Sequence, residues 1–140
     1  MGSIVVGYDG SDCGNAALDA AVELAKGLDD SVVVVFGYAP PGIWGGEIAE
    51  HEEAVEELGA KMMDEAKRRA AEHGIAAEIE MVPKRGTEAL TEVAEQRDAR
   101  MIVVGSYGDP PLKGFILGST PNKLLHLSER PVLVVPAAAG

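Results

Sequence analysis

The chain is 140 residues long, enough for one domain with a substantial core. Its 46% hydrophobic and 25% charged residues match an ordinary folded protein and exclude disorder as the default, while only 4% are aromatic, so Ala, Val, Leu and Ile must fill the core. The 23 acidic against 12 basic side chains give a formal net charge of −11, which repels nucleic acid and anionic membrane at any distance salt does not screen.

A small phosphate ligand stays open, because main-chain N–H groups and a helix dipole bind it locally whatever the global charge. The single cysteine, Cys13, allows no internal disulfide and points to no oxidising compartment. Met1 to Tyr8 carry no basic segment followed by a long apolar stretch, and no apolar run approaches membrane-spanning length, so the chain reads as soluble and cytoplasmic.

In chain order, Ser3–Tyr8 is the first apolar run too short for a helix and rich in β-branched residues, a candidate strand. Cys13 to Lys26 follows, alanine-rich with Leu18, Val22 and Leu24, and the pattern predicts a helix stopped by Gly27. Ser31–Tyr38 is the second strand. Glu47 to His73 places Ile48, Val55, Leu58, Met62 and Ala66 near helical spacing among many charges and ends at Gly74. Ala76–Val82 is a weaker strand. Thr87 to Arg97 opens on a good cap and turns Leu90, Val93 and Ala94 inward. Met101–Gly105 is the fourth strand. Ser119 or Thr120 then caps a last helix, where Pro121 suits the first turn, and Pro131–Val135 is the fifth strand.

The order β-α-β-α-β-α-β-α-β predicts a single α/β domain over residues 1–140, an open five-stranded parallel sheet with helices on both faces and right-handed crossovers. Runs such as Val32-Val33-Val34-Val35 do not alternate with polar residues, as strands covered on both faces require. Ligands of such folds bind beyond the carboxyl ends of the strands, where strand order reverses. Three loops qualify: Gly7 to Ser11, Gly37 to Gly46 and Gly105 to Ser119.

The last of these holds Gly105-Ser106-Tyr107-Gly108, nine residues, then Gly118-Ser119 at a helix start. Two glycines three apart after a buried strand let a backbone approach a ligand with no Cβ in the way, and the helix start offers unpaired N–H groups. Taken alone, the pattern fits a phosphate cradle or a loop with turn glycines equally.

With Pro131-Val132-Leu133-Val134-Val135 following twelve residues after Ser119, the pattern resembles the nucleotide-binding signature of the ATP-binding members of the universal stress protein family. Ile4-Val5-Val6-Gly7-Tyr8-Asp9-Gly10-Ser11 resembles the family's first strand with its acidic residue, and Arg85-Gly86-Thr87 the turn before its third helix. The resemblance implies a Rossmann-like fold of the adenine nucleotide alpha hydrolase type with strand order 3-2-1-4-5. It also implies that Asp9 accepts hydrogen bonds from the ribose or adenine edge over a floor of Gly7 and Tyr8 backbone. Gly105 and Gly108 would lie along the ribose and α-phosphate. Gly118, Ser119 and Thr120 would hold the outer phosphates, and Val104 and Gly37 match positions of adenine contact. The implied ligand is ATP with Mg²⁺ on its phosphates, with ADP, AMP and cyclic AMP as alternatives. No metal ligand from the protein's side chains is implied. The apolar last strand resembles the edge through which family members pair, which implies a homodimer.

The chain departs from the family at Gly37, where an apolar side chain is usual, so the adenine wall would fall to Val35 or Tyr38. Pro121 removes a possible hydroxyl, and Asp109-Pro110-Pro111 stiffens the loop and adds negative charge that Lys113 would offset. Asp9 also has a local reading, as a helix cap or a partner within its own turn. Cys13 is either a small residue in a first helical turn or a thiol sensitised by the helix N-terminus.

His51, His73 and His126 show no metal or triad spacing and read as solvated, and Glu50, Glu52, Glu53, Glu56 and Glu57 read as a solvated helix face. Trp44 closes over a base or packs its loop down. No Walker lysine motif and no Gly-x-Gly-x-x-Gly occurs, so efficient ATP hydrolysis and dinucleotide cofactors are not expected, and no catalytic residue is assigned beyond a reused Asp9 in a slow ATPase. A nucleotide-free dimeric interaction protein is the remaining reading.

Overall fold

Four consecutive valines, Val32 to Val35, have stiff χ1 angles that suit an extended backbone, and a run with no polar member needs cover above and below. The structure, a computed structural model, provides that cover. It describes residues 2–37, 48–84, 86–106 and 119–137, without the side chains of 48–56 and 119–120. The elements are β1 (Ser3–Gly7), α1 (Asp12–Leu28), β2 (Ser31–Gly37), α2 (Ile48–Glu72), β3 (Glu78–Val82), α3 (Gly86–Gln96), β4 (Met101–Gly105), α4 (Ser119–Leu127) and β5 (Val132–Val135). All strand pairs are parallel, in the order β3-β2-β1-β4-β5.

The side-chain period of two divides the strands between two cores. Ile4, Val6, Val32, Val34 and Val103 pack with Ala17, Leu18, Ala21 and Val22 of α1 and Met63, Ala66 and Ala70 of α2. Val5, Val33, Val35, Ile102 and Val104 pack on the opposite face with Ala89, Leu90, Val93 and Ala94 of α3 and Leu124 of α4. The chain therefore winds toward β3 on one face and toward β5 on the other, starting each time from the middle pair β1 and β4.

Three local expectations are corrected. Helix α1 runs through Gly27 to Leu28, because one glycine in a helix costs only about 1 kcal/mol and Asp29 supplies the left-handed cap, at φ 56° and ψ 42°. The N–H groups of Asp29 and Asp30 both reach the carbonyl of Ala25, which closes the last turn. On α2 the buried stripe holds Met63, Ala66 and Ala70, while Leu58 is 55% exposed. The reason is Gly59: a Cβ there would run into the Met81 methyl and stand 3.0 Å from the Phe36 ring, so the helix makes its closest approach along the Gly59 side and turns Leu58 out. Ile48 and Val55 lie outside the described side chains. Helix α3 already includes Gly86, which puts Thr87 inside its first turn rather than at the cap position.

At the amino ends of the strands the Asp30 carboxylate is fully buried and holds three segments together. It accepts from the Gly2 N–H at 2.8 Å and from Arg100 Nε and Nη2 at 2.5 and 3.2 Å. The Arg100 hydrogen bonds, helped by Gly2 and opposed by burial, hold the Asp30 carboxyl below the usual carboxylate range. A carboxyl depressed in the folded state stabilises the fold above its unfolded pKa, about 3.9, and ceases to do so as pH falls through the lower folded value. Asp30→Asn is therefore expected to lower the urea midpoint at pH 7, with the gap to wild type closing as pH is taken from about 4 downward. A gap that persists undiminished at pH 2 would refute the electrostatic assignment.

Candidate functional site

Strands β1 and β4 are neighbours at the point where strand order reverses. Their ladder runs through Ile4–Met101, Val5–Ile102 and Val6–Val103 and stops. Each continues on its outer side: β1 to the Gly7–Val35 pair with β2, β4 to the Gly105–Val135 pair with β5. Past those pairs, Tyr8 N–H still bonds Val35 O at 3.2 Å and Ser106 N–H bonds Val135 O at 2.9 Å. The two central strands thus fork at their carboxyl ends, each held by its outer neighbour, with Gly7, Tyr8 and Asp9 on one prong and Gly105 on the other.

The glycines of the fork are explained by their neighbours. A Cβ on Gly105 would stand 2.6 Å from Cys13 Cβ and 2.8 Å from the Cys13 carbonyl group, so the first turn of α1 lies directly on β4 there. A Cβ on Gly7 would point to the other face and meet Leu90 Cδ1 at 3.0 Å and Val104 Cγ1 at 3.2 Å. Val104 is itself buried in the α3-side core, as is Val35. At Gly37 the space for a side chain is taken by the Lys84 carbonyl oxygen, 2.7 Å from an ideal Cβ, and by Ala89. That is the physical reason no apolar side chain stands at residue 37: the turn after β3 crosses over the end of β2.

On the β1 prong, Tyr8 turns its ring into the α1–α2 core and donates its hydroxyl to Asn15 Oδ1 at 2.7 Å. Burial first, then the negative charge of Glu65, pushes the phenol pKa up, with Asp9 and Asp19 adding and Arg69 opposing. Tyr8 consequently stays a protonated donor, and its backbone alone faces the fork. Asp9 is exposed and takes the local geometry that its sequence context allowed: Oδ1 accepts from Ser11 N–H at 3.0 Å and Ser11 Oγ at 2.5 Å. The cap of α1 is Ser11, whose Oγ accepts the Gly14 N–H at 3.1 Å. Cys13 is buried, with Sγ 3.6 Å from Ser106 Oγ across the fork.

Gly7, Tyr8, Asp9, Val104 and Gly105 are therefore brought together around the fork, and Gly37 lies one strand outward. Gly108 and Gly118, the side chains of Ser119 and Thr120, and Tyr38, Trp44, Arg85, Asp109, Pro110, Pro111 and Lys113 lie outside the described residues, as do the side chains of His51 and of the acidic run Glu50 to Glu56. Ser11, Gly14, Asn15 and Ser106 escaped sequence reasoning. Only Ser11 carried a signal, a hydroxyl one place before a helical run. His73 is not simply solvated: its Nε2 is 3.9 Å from Asp19 Oδ1, which also accepts from Arg69 Nε at 2.7 Å, while Asp19 Oδ2 accepts from Arg69 Nη2 at 2.9 Å. Among the described residues there is no group of three or more His, Cys, Asp or Glu placed to hold a metal ion, and no helix long and apolar enough to cross a membrane.

Fold and fork together define a Rossmann-like α/β protein whose two central strands part at the switch point, where ligands of such folds bind. Residues 1–136 match the model of the universal stress protein family. Universal stress protein YxiE of Bacillus subtilis (strain 168) is 34% identical, with 94% of this chain and 97% of the relative covered. A universal stress protein in complex with cAMP superposes with a TM-score of 0.79 at 26% identity, with 98% of each chain covered. A family protein from Burkholderia pseudomallei gives a TM-score of 0.78 at 29% identity, with 97% of this chain and 96% of that one covered. The chain belongs to the universal stress protein family.

Gly105→Ala should cost about 1–3 kcal/mol in urea unfolding, since the added carbon meets main-chain atoms of α1 that cannot swing aside. Gly27→Ala, where nothing lies within 4 Å, should instead stabilise by about 0.5–1 kcal/mol. Equal effects at the two sites would show that the close packing of α1 on β4 is not what fixes Gly105.

Proposed function

We propose that this chain is an adenine-nucleotide-binding regulatory module, with base and ribose seated at the β1–β4 fork beside Asp9. The observation that carries the reading is the fork itself, in a chain matched over 98% of its length by a universal stress protein holding cAMP. An ionised carboxylate is acceptor-only, so Asp9 suits a ribose hydroxyl or an adenine amino group and repels phosphate. This orients sugar or base toward the β1 prong and the phosphate away from it.

That complex favours cyclic AMP as the ligand, with AMP, which has the same base and sugar, as its near relative. A second reading, ATP with Mg²⁺ on its phosphates, rests on the sequence pattern Gly105-x-x-Gly108 followed by Gly118, Ser119 and Thr120. Either ligand acts by occupancy: binding to the native state alone adds about 2.7 kcal/mol at a hundred times Kd. The module is proposed to work in the cytoplasm without turnover, a slow ATPase being the enzymatic alternative.

Protein purified without added nucleotide should release an adenine nucleotide on denaturation, identified by mass spectrometry, and melt higher with AMP, cyclic AMP or ATP than with GTP. Gly118→Val should weaken ATP binding by more than about tenfold and spare AMP, which has no outer phosphates, whereas Gly108→Val, along the ribose and α-phosphate, should weaken both. No released nucleotide together with no shift would leave the nucleotide-free interaction protein as the reading.

The same proposal includes a homodimer through β5. This strand is a sheet edge, and its Leu133 is 38% exposed. Light scattering should give twice the chain mass, and Leu133→Lys should give the monomer mass. A wild-type monomer at micromolar concentration would reject the dimer.

A further inference from the structure

The geometry points to Ser11 and Gly14 as positioning residues for Asp9: they fix one carboxylate oxygen in the first turn of α1, so that the other alone is offered to the nucleotide. This inference rests on the adenine-nucleotide reading above. Asp9 is exposed at the rim of the fork, where an unrestrained carboxylate would rotate about χ1 and χ2 and lose that freedom on binding. It is restrained. Ser11 N–H and Ser11 Oγ–H both end on Oδ1, at 3.0 and 2.5 Å. Because Ser11 Oγ accepts the Gly14 N–H at 3.1 Å, the serine proton is directed at Asp9. The result is a chain of three polar groups, Gly14 N–H to Ser11 hydroxyl to Asp9 carboxylate, in which each bond polarises the next.

Gly14 has a second part in this. Glycine inside a helix is unfavourable, and Gly14 has no positive φ to excuse it. Its space is the reason: a Cβ at residue 14 would stand 2.6 Å from Asp9 Oδ1 and 3.3 Å from both Asp9 N and Ser11 Oγ. Alanine there displaces the carboxylate while improving the helix. Two donors saturate the two lone pairs of Oδ1, and among the described residues none bonds Oδ2. The nucleotide therefore meets a single, fixed acceptor atom, Oδ2, whose lone pairs are free for a ribose hydroxyl or the adenine amino group.

Isothermal titration with AMP, cyclic AMP and ATP tests this on wild type, Asp9→Ala, Ser11→Ala, Ser11→Thr, Gly14→Ala and the Asp9→Ala/Ser11→Ala double variant, with melting points of the nucleotide-free proteins alongside. Asp9→Ala should weaken binding about 10- to 100-fold, the range for a hydrogen bond to a charged group. Ser11→Ala should weaken it about 5-fold in wild type and less than about 2-fold in the Asp9→Ala background, the non-additivity of residues acting as one unit. Ser11→Thr should restore it. Gly14→Ala should weaken binding about 5-fold with a melting point equal to or above wild type, because the helix gains what the site loses. Equal losses from Ser11→Ala in both backgrounds, or wild-type affinity in Ser11→Ala and Gly14→Ala, would overturn the inference and leave nucleotide binding standing. A wild type that binds none of the three nucleotides removes the nucleotide reading itself, and this inference with it.

Discussion

A methyl group at residue 105 would stand 2.8 Å from the carbonyl atoms of Cys13, so the first turn of α1 lies against β4 with only hydrogen between the two backbones. That approach sets the carboxyl end of the sheet. It brings the start of α1 over the gap between β1 and β4, places Cys13 Sγ 3.6 Å from Ser106 Oγ, and puts the turn Asp9 to Ser11 at the edge of the fork. A bulkier residue on β4 would lift the helix start and carry Asp9 with it. The site is thus a by-product of close packing rather than an opening left in it.

The two ends of the sheet are built differently. At the amino ends a buried charge, Asp30, is satisfied by Gly2 and Arg100 and ties the entries of β1, β2 and β4 into one knot. Breaking such a knot leaves a buried charge without a partner, which makes substitution there costly. At the carboxyl ends small residues and a capped turn set the packing instead. Between the two ends, the Arg69–Asp19 pair joins α2 to α1, but both side chains are 37% exposed and the pair contributes at most about 1 kcal/mol. A buried charge ties one end together and close packing of small residues the other.

Much of this was legible in the sequence, for physical reasons. Valine runs such as Val32 to Val35 and Ile102 to Val104 have one reading, strands covered on both faces, and their alternation with alanine-rich helices gave the parallel sheet. The strand order came from resemblance, not from periodicity. What stayed hidden depends on neighbours distant in sequence. Gly27 looks like a helix stop until Asp29 is seen to take the left-handed position. Leu58 and Met63 are both plausible inward residues, and only the contact of Gly59 with Phe36 and Met81 chooses between them. Gly105 was read as a backbone that a ligand can approach and Gly37 as a position of adenine contact, and neither reading foretold that an added Cβ would meet Cys13 at the first and the Lys84 carbonyl at the second. A glycine announces a close approach without saying whose.

The two margins of the sheet are chemically unlike. β5 presents Val132 to Val135, whereas β3 carries Glu78 and Glu80, both engaged by Arg97. A foreign strand laid along β3 would have to strip water from those ion pairs and would gain little in return. Stacking molecule upon molecule through sheet margins requires two receptive ones, and the charged β3 margin disfavours that growth.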